Sequence, residues 1–324
     1  MKAIICEKLG LPSELVFKEL EDLIPGDEDL IVTTKACAVN FPDTLIIQGK
    51  YQYKPDLPFI PGSDFAGVVT TIGRKVSRYK VGDKVFGMLR YGAFAEQIKV
   101  KQQLAYPIPA GMDFDVAASF LYAYATSLHA LKDRAQIKAG DTIAILGAAG
   151  GVGLAAVDLA VQYGAKVIAC ASTDEKLELC KSYGAQETIN YQKEDLKLKL
   201  KELTQGKGVD IIYDPVGATY TEAALRAIAW GGKYLVVGFA AGDIPKLPLN
   251  LVLLKGCQVI GVFLGRSIKE DPNLNFNNSK QIIEWIKEEK IKPHIHQSYA
   301  LKDTALALQE IIDRKVKGKI IITI

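Results

Sequence analysis

The residues best suited to chemistry lie in one loop, Gly147-Ala148-Ala149-Gly150-Gly151-Val152-Gly153. An apolar run, Thr142-Ile143-Ala144-Ile145-Leu146, leads into it, and small and apolar residues continue from it to Tyr163. A diphosphate reaches the amides at a helix N-terminus only where no Cβ holds it off; glycine gives that access and the tight turn. Strand, glycine loop and helix in that order predict a dinucleotide site. The strict fingerprint would set glycine at 148, 150 and 153, and the first of these is Ala148.

The end of the next strand decides which dinucleotide fits. An NAD enzyme usually offers a carboxylate there to the ribose 2′-hydroxyl. Here the strand runs out through Cys170, Ala171, Ser172 and Thr173, small and uncharged residues that leave room for a 2′-phosphate. Asp174 is the only candidate acid. Ser172-x-x-Glu175 has the spacing of a capping box, which sets Asp174 in the first helical turn, where acids are favoured for other reasons. Lys176 is placed to meet a phosphate as a point charge. The balance favours NADPH over NADH.

These positions need a scaffold, and the texture of the chain supplies two. Before about residue 125, short β-branched runs alternate with glycine and proline, as in Leu30-Ile31-Val32-Thr33-Thr34 and Gly67-Val68-Val69-Thr70-Thr71-Ile72. That pattern predicts an irregular, largely antiparallel β domain. From Gly140 the rhythm is strand, helix, strand, helix. Strands are expected at 142–146, 166–170, 209–213, 233–237 and 259–263, with helices at about 151–163, 174–183, 195–204 and 220–229. The fold class is therefore α/β, with a doubly wound parallel sheet. The tail adds two amphipathic helices, one with Ile282, Ile283 and Ile286 on its apolar face and one with Leu306, Ile311 and Ile312. A final strand, Lys319-Ile320-Ile321-Ile322-Thr323-Ile324, closes the chain.

Composition narrows the class. The 324 residues are 49% hydrophobic and 24% charged, enough apolar material for about two globular domains. Forty basic residues against 37 acidic ones give a net charge of +3, so no polyanion is implied and nucleic acid is not an expected partner. The longest uncharged stretch, Thr142 to Val157, is too short for a membrane span of about 18 residues and carries glycines. Five scattered cysteines, with no C-x-x-C, and a charged start at Glu7-Lys8 predict free thiols and a cytoplasmic location.

Several motifs together resemble the zinc-free quinone oxidoreductase (zeta-crystallin-like) branch of the medium-chain dehydrogenase/reductase superfamily. They are Val39-Asn40-Phe41-Pro42-Asp43, Pro61-Gly62-Ser63-Asp64-Phe65-Ala66-Gly67, Val81-Gly82-Asp83-Lys84-Val85-Phe86-Gly87, Tyr91-Gly92-Ala93-Phe94-Ala95-Glu96, the glycine loop and Asp214-Pro215-Val216-Gly217. Ala148 at the first glycine position is typical of that branch. The resemblance implies a GroES-like catalytic domain over residues 1–124, a Rossmann NADP-binding domain over 125–264, and a C-terminal return to the catalytic domain over 265–324. It also implies a cleft between domains and a homodimer in which the last Rossmann strand pairs across the axis.

The resemblance further implies where zinc would sit in metal-dependent members: a Cys, a Gly-His-Glu segment and a later Cys, His or acid. Here Asn40 stands for the first Cys, and the Gly-His-Glu segment reads Gly62-Ser63-Asp64. Serine is a poor zinc ligand and Asp64 alone does not make a site, so no metal is expected. Cys37 lies three residues off register, and His294-Ile295-His296 has no acid or Cys nearby.

Without zinc, the acceptor must already be electrophilic. The expected activity is therefore hydride transfer from NADPH to a quinone or similar electron-poor carbonyl compound, with no indispensable catalytic side chain. An enoyl or alkenal reductase, acting on an activated alkene, is the nearest alternative; an NADPH-binding protein with little turnover is another. Carried over by position, Gly150, Gly151 and Val152 meet the diphosphate, and Ser172, Lys176 and Tyr191 the 2′-phosphate side. Thr126, Gly238, Phe239 and Phe263 hold the nicotinamide end. Asn40 and Tyr51 are substrate-pocket positions, Asp43 is a helix-capping or structural acid, and Tyr91, Tyr122 and Tyr124 are left unplaced.

Overall fold

The computed structural model describes residues 1–324. The chain divides into two compact units: Met1–Tyr122 together with Pro293–Ile324, and Ala123–Lys292. Seven strands precede the division: β1 (Lys2–Ile5), β2 (Val16–Glu19), β3 (Asp29–Val39), β4 (Asp64–Ile72), β5 (Lys84–Met88), β6 (Gln97–Lys101) and β7 (Ala105–Pro107). The second unit holds β8 (Thr142–Leu146), β9 (Lys166–Ala171), β10 (Glu187–Asn190), β11 (Val209–Asp214), β12 (Ile228–Val236) and β13 (Gln258–Gly261). After it come β14 (Ile295–Ala300) and β15 (Lys319–Thr323).

In the first unit a seven-stranded sheet runs β14-β15-β3-β4-β5-β7, with β6 paired to β3, and β1 and β2 form a separate antiparallel pair. Only β14 and β15 run parallel. The long strand β3 is buried along most of its length because β4, β6 and β15 all pair with it. Its side chains join Phe65, Phe94, Ile98 and Ile320 in one core.

The second unit is a six-stranded parallel sheet in the order β10-β9-β8-β11-β12-β13. Strands buried on both faces read as apolar runs, and β8 and β11 do so, with Ile143, Ala144, Ile145, Ile212 and Tyr213 fully inaccessible. The chain winds outward from β8 in one direction and then restarts at β11 in the other. That reversal opens a crevice beyond the carboxyl ends of β8 and β11, the place where doubly wound sheets take ligands.

Three expectations need correction. The chain returns to the first unit at Pro293, not at 265, because helices Leu264–Glu270 and Pro272–Lys287 remain with the second unit. Ile282 and Ile283 are buried there, and Lys132 Nζ donates to Asn278 Oδ1 at 3.0 Å and Gln281 Oε1 at 2.7 Å. Amphipathic spacing reveals that a face is covered but not which body covers it. In helix Thr304–Ile312 the buried face carries Thr304, Ala307 and Leu308, whereas Leu306 is exposed. Finally, β12 begins at Ile228, five residues before the expected start, so helix Tyr220–Arg226 is shorter than its sequence suggests.

Candidate active site

The glycine loop connects β8 to helix Gly151–Gln162, with Gly150 as the extended N-cap. A Cβ on Gly153 would lie 2.2 Å from the carbonyl oxygen of Gly147, so only glycine lets the helix pack this close to the turn. The first-turn amides of a helix have no intrahelical acceptor. Gly151 and Val152, the first two residues of that turn, are half-buried and follow the carboxyl end of β8 through the glycine loop. An apolar strand and a glycine turn thus deliver a set of donors to the crevice.

Sequence reasoning missed the residue that anchors this helix. Ser127 is fully buried, and its Oγ donates to the carbonyl oxygen of Val152 at 2.8 Å while lying 2.9 Å from Tyr213 Oη. Thr126, its neighbour on helix Phe114–Leu128, is also buried. A serine within a small-residue helix has no local signature that distinguishes an anchor from a filler.

The other expected cofactor positions follow the carboxyl ends of successive strands. Ser172 follows β9, Tyr191 follows β10, Gly238 and Phe239 follow β12, and Phe263 follows β13. Lys176 lies in the first turn of helix Asp174–Ser182. The cap of that helix is Thr173, whose Oγ1 accepts the amide of Lys176 at 3.3 Å, and not Ser172; the capping-box spacing was one residue out. Asp174 still opens the first turn, and its carboxylate is taken: Asn190 Nδ2 lies 2.5 Å and Lys193 Nζ 2.6 Å away. These two donors hold the Asp174 carboxyl below the usual range, Lys193 foremost. The Tyr191 ring packs on that of Tyr220 with centroids 4.4 Å apart.

In the first unit, Asn40, Ser63, Asp64 and Lys319 form one buried cluster. Pairing explains how they meet. Ala38 is opposite Asp64 across β3 and β4, and Ile320 is opposite Val39 across β15 and β3. Asn40 Nδ2 donates to Ser63 Oγ and Asp64 Oδ2, each at 3.1 Å, and its Oδ1 accepts from Lys319 Nζ. Lys319 Nζ is also 3.5 Å from Asp64 Oδ2. Asp43, in helix Phe41–Ile46, accepts the backbone N–H of Asn40 at 2.7 Å, the capping role expected of it.

Burial drives the titration of this cluster. It pushes the Asp43 carboxyl up to about 7, against the opposing pull of the Asn40 amide and Lys319. It raises Asp64 and lowers Lys319, while the attraction between their opposite charges works the other way in both.

Tyr51 is half-buried, with its hydroxyl 3.4 Å from that of Tyr122. Burial, then the neighbouring Tyr51, hold the Tyr122 hydroxyl well above its ordinary pKa, so it remains a proton-bearing donor. Tyr91 stacks on Tyr53 with centroids 5.7 Å apart. Tyr124 instead donates to Asp158 in the second unit, at 2.7 Å. Of the tyrosines left unplaced by the sequence, Tyr122 is therefore the one beside a candidate substrate residue.

The family model for zinc-binding dehydrogenases matches residues 151–288, and the model for the alcohol dehydrogenase GroES-like domain matches residues 26–110. A quinone oxidoreductase-like protein 2 homolog from Nematostella vectensis is 39% identical over 99% of this chain and 88% of its own length. The chain belongs to the quinone oxidoreductase branch of the medium-chain dehydrogenase/reductase superfamily. A human quinone oxidoreductase is 33% identical, covering 96% of this chain and 94% of that protein. The crystal structure of an Escherichia coli quinone oxidoreductase complexed with NADPH aligns over the whole of both chains, with a TM-score of 0.94 and 30% identity. The two units are accordingly the GroES-like and Rossmann domains of this superfamily.

The zinc implied by the first family model does not fit here. The donors are a carboxamide, a hydroxyl and one carboxylate, and Lys319 places a buried ammonium among them. Zinc sites need three or four thiolate, imidazole or carboxylate ligands, and a second cation at this spot would be repelled. A dinucleotide does fit, because the glycine turn, the first turn of the helix it opens and the uncharged Ser172 all follow the carboxyl ends of neighbouring strands, β8 and β9.

Proposed function

We propose that this quinone oxidoreductase homologue is an NADPH-dependent reductase that passes hydride to a quinone or a similarly electron-poor carbonyl compound without a metal. The observation that carries the reading is the ammonium of Lys319, bonded to Asn40 and Asp64, the two residues that the resemblance sets at zinc-ligand positions of metal-dependent relatives. Oxidation of an alcohol requires loss of its hydroxyl proton, which zinc makes feasible near neutral pH. With an ammonium at that position the acceptor has to be electrophilic already. A quinone that gains hydride becomes a hydroquinone anion, whose charge spreads over the ring and whose proton comes from water. Positioning then suffices, and no side chain is indispensable to the chemical step.

Bound NADPH supplies the hydride. The amides of Gly151 and Val152 hold its diphosphate, with Gly150, whose own amide donates to the Gly147 carbonyl oxygen at 2.9 Å, leaving room for it in the turn, and Ser172, Lys176 and Tyr191 border the 2′-phosphate. Thr126, Gly238, Phe239 and Phe263 hold the nicotinamide end. The choice of NADPH is supported by Asp174, whose carboxylate is tied to Lys193 and Asn190 and is not offered to a ribose hydroxyl. The NADPH bound in the Escherichia coli relative points the same way. On the substrate side the two amide hydrogens of Asn40 are already used. The paired hydroxyls of Tyr51 and Tyr122 are the polar groups that support a role for Tyr51 toward a substrate oxygen.

The enzyme acts as a homodimer in the cytoplasm. The open edge of β13 and the outward-facing Leu249 and Leu253 support the dimer. Five buried, unpaired thiols suit a reducing compartment. The test is NADPH oxidation by chelator-treated protein with 1,4-benzoquinone and, in parallel, crotonyl-CoA. Quinone-dependent turnover that survives the chelator is expected. Turnover with the enoyl substrate alone would replace this reading by an alkene reductase. Silence with both, despite NADPH binding, would sink it in favour of a cofactor-binding role.

A further inference from the structure

Neither the dinucleotide loop nor the tyrosine pair accounts for a lysine buried at the opening of the last strand. Lys319 reaches Asn40 across 279 residues of chain because β15 pairs antiparallel with β3, setting Ile320 opposite Val39. The entry is tight. Gly318 has φ +70°, and a Cβ there would come within 2.4 Å of the carbonyl oxygen of His294. The backbone is therefore built to bring this one side chain inward at this point, although the same residue type is overwhelmingly found at surfaces.

The hydrogen bonds around Asn40 have a direction. Its carbonyl oxygen faces the ammonium, and its NH₂ faces the Asp64 carboxylate and Ser63 Oγ. Turning the carboxamide over would set NH₂ against NH₃⁺ and oxygen against carboxylate, a donor–donor and an acceptor–acceptor clash among buried groups. The other ionisable groups facing the cluster do not compete for this role. Asp43 is occupied by the Asn40 backbone amide, Cys37 donates to the carbonyl oxygen of Ala93, and Tyr51 and Tyr122 pair with each other.

We infer that Lys319 is a positioning residue for the reduction proposed above: it holds the carboxamide of Asn40, the candidate substrate residue, in one orientation. The inference rests on the quinone reductase reading for its kinetic consequence, and on geometry alone for the orientation of Asn40.

The test compares wild type, Lys319→Met and the double variant Lys319→Met/Asp64→Asn, in which Asp64 is no longer left as a buried carboxylate beside a missing ammonium. With NADPH and 1,4-benzoquinone, both variants should show a quinone KM raised about tenfold, while kcat and the NADPH KM stay within about threefold. The double variant should regain the wild-type thermal midpoint without regaining the quinone KM. In asparagine-selective ¹⁵N spectra, the Asn40 side-chain pair, assigned by its loss in Asn40→Ser, should shift in both variants. Recovery of midpoint and KM together in the double variant, or an unmoved Asn40 pair, would overturn the inference. A wild-type protein silent with benzoquinone would overturn the reductase reading instead, and the Asn40 resonances would then decide on Lys319 by themselves.

Discussion

The hydroxyl of Tyr124 donates to Asp158 Oδ2 at 2.7 Å, deep in the Rossmann unit. The same oxygen accepts the backbone N–H of Lys292 at 2.8 Å. Tyr124 lies just inside the point where the chain enters this unit, and Lys292 is its last residue. Asp158 belongs to helix Gly151–Gln162, the helix that the glycine loop opens. One carboxylate thus ties the dinucleotide helix to both ends of its unit.

Truncating Asp158 should be costly and replacing it by Asn should not. Asp158→Ala leaves the buried Tyr124 hydroxyl without an acceptor, at a cost of about 1–3 kcal/mol, and takes the acceptor from the Lys292 amide as well. Asp158→Asn keeps an oxygen for both. Burial pushes this carboxyl up to about 6, against the lowering effect of the Lys292 amide and Tyr124. Its folded pKa therefore exceeds the unfolded value of roughly 3.9, so the folded state binds the proton more tightly and favours low pH. The stability of wild type relative to Asp158→Asn should fall as pH rises from about 4 to about 6 and level off above that. Urea midpoints of the two proteins over that range check the sign; a difference that grows with pH would contradict it.

Cofactor choice should turn on Lys193 as well as Lys176. Lys193→Ala releases one of the two groups that occupy Asp174, so the carboxylate becomes available to a ribose hydroxyl and repels a 2′-phosphate. The ratio of kcat/KM for NADPH over NADH should drop about tenfold. Lys176→Ala should weaken NADPH much more than NADH. Asp174→Ala in the Lys193→Ala background should restore the ratio. Equal losses with both cofactors for Lys176→Ala would refute its assignment to the phosphate.

Much of this was legible in the residues. The glycine loop, the apolar strands and the closing glycines announce a doubly wound sheet because local rules govern each of them. The neighbours of Asp174 were not legible, since Asn190 and Lys193 reach it from the end of the next strand. Lys319 was hidden for a stronger reason: a lysine at the start of a strand reads as a solvated end, and only the pairing of β15 with β3 turns it inward. The return at Pro293 was hidden because helical periodicity in Pro272–Lys287 is the same whichever unit it serves.

Ser127 and Tyr213 should prove energetically coupled. Ser127→Ala removes the side-chain donor to the Val152 carbonyl and leaves the buried Tyr213 hydroxyl without its partner. The expected loss is about 1–3 kcal/mol. Adding Tyr213→Phe removes the orphaned hydroxyl, so the double variant should lose less than the sum of the singles, by ~0.5 kcal/mol or more. NADPH affinity, read by fluorescence titration, should weaken a few-fold in Ser127→Ala, because the first turn of the dinucleotide helix loses its anchor. Additive stabilities would mean the two hydroxyls act independently.

The proposed dimer should fail when the outer edge of the Rossmann sheet is charged. On helix Leu249–Lys255, Leu251 faces the core while Leu249 and Leu253, one turn apart, are 75% and 78% exposed. Val259 is also exposed on β13, which pairs only with β12 and so presents a free row of amides and carbonyls. An exposed apolar patch beside an open strand edge is what a second copy would cover, and proteins seldom leave such an edge bare. Val259→Lys with Leu253→Glu changes no packed core residue, so folding should survive. The pair should convert the protein from dimer to monomer in sedimentation velocity, with the circular dichroism spectrum retained. A wild-type protein that sediments as a monomer at micromolar concentration would refute the dimer directly.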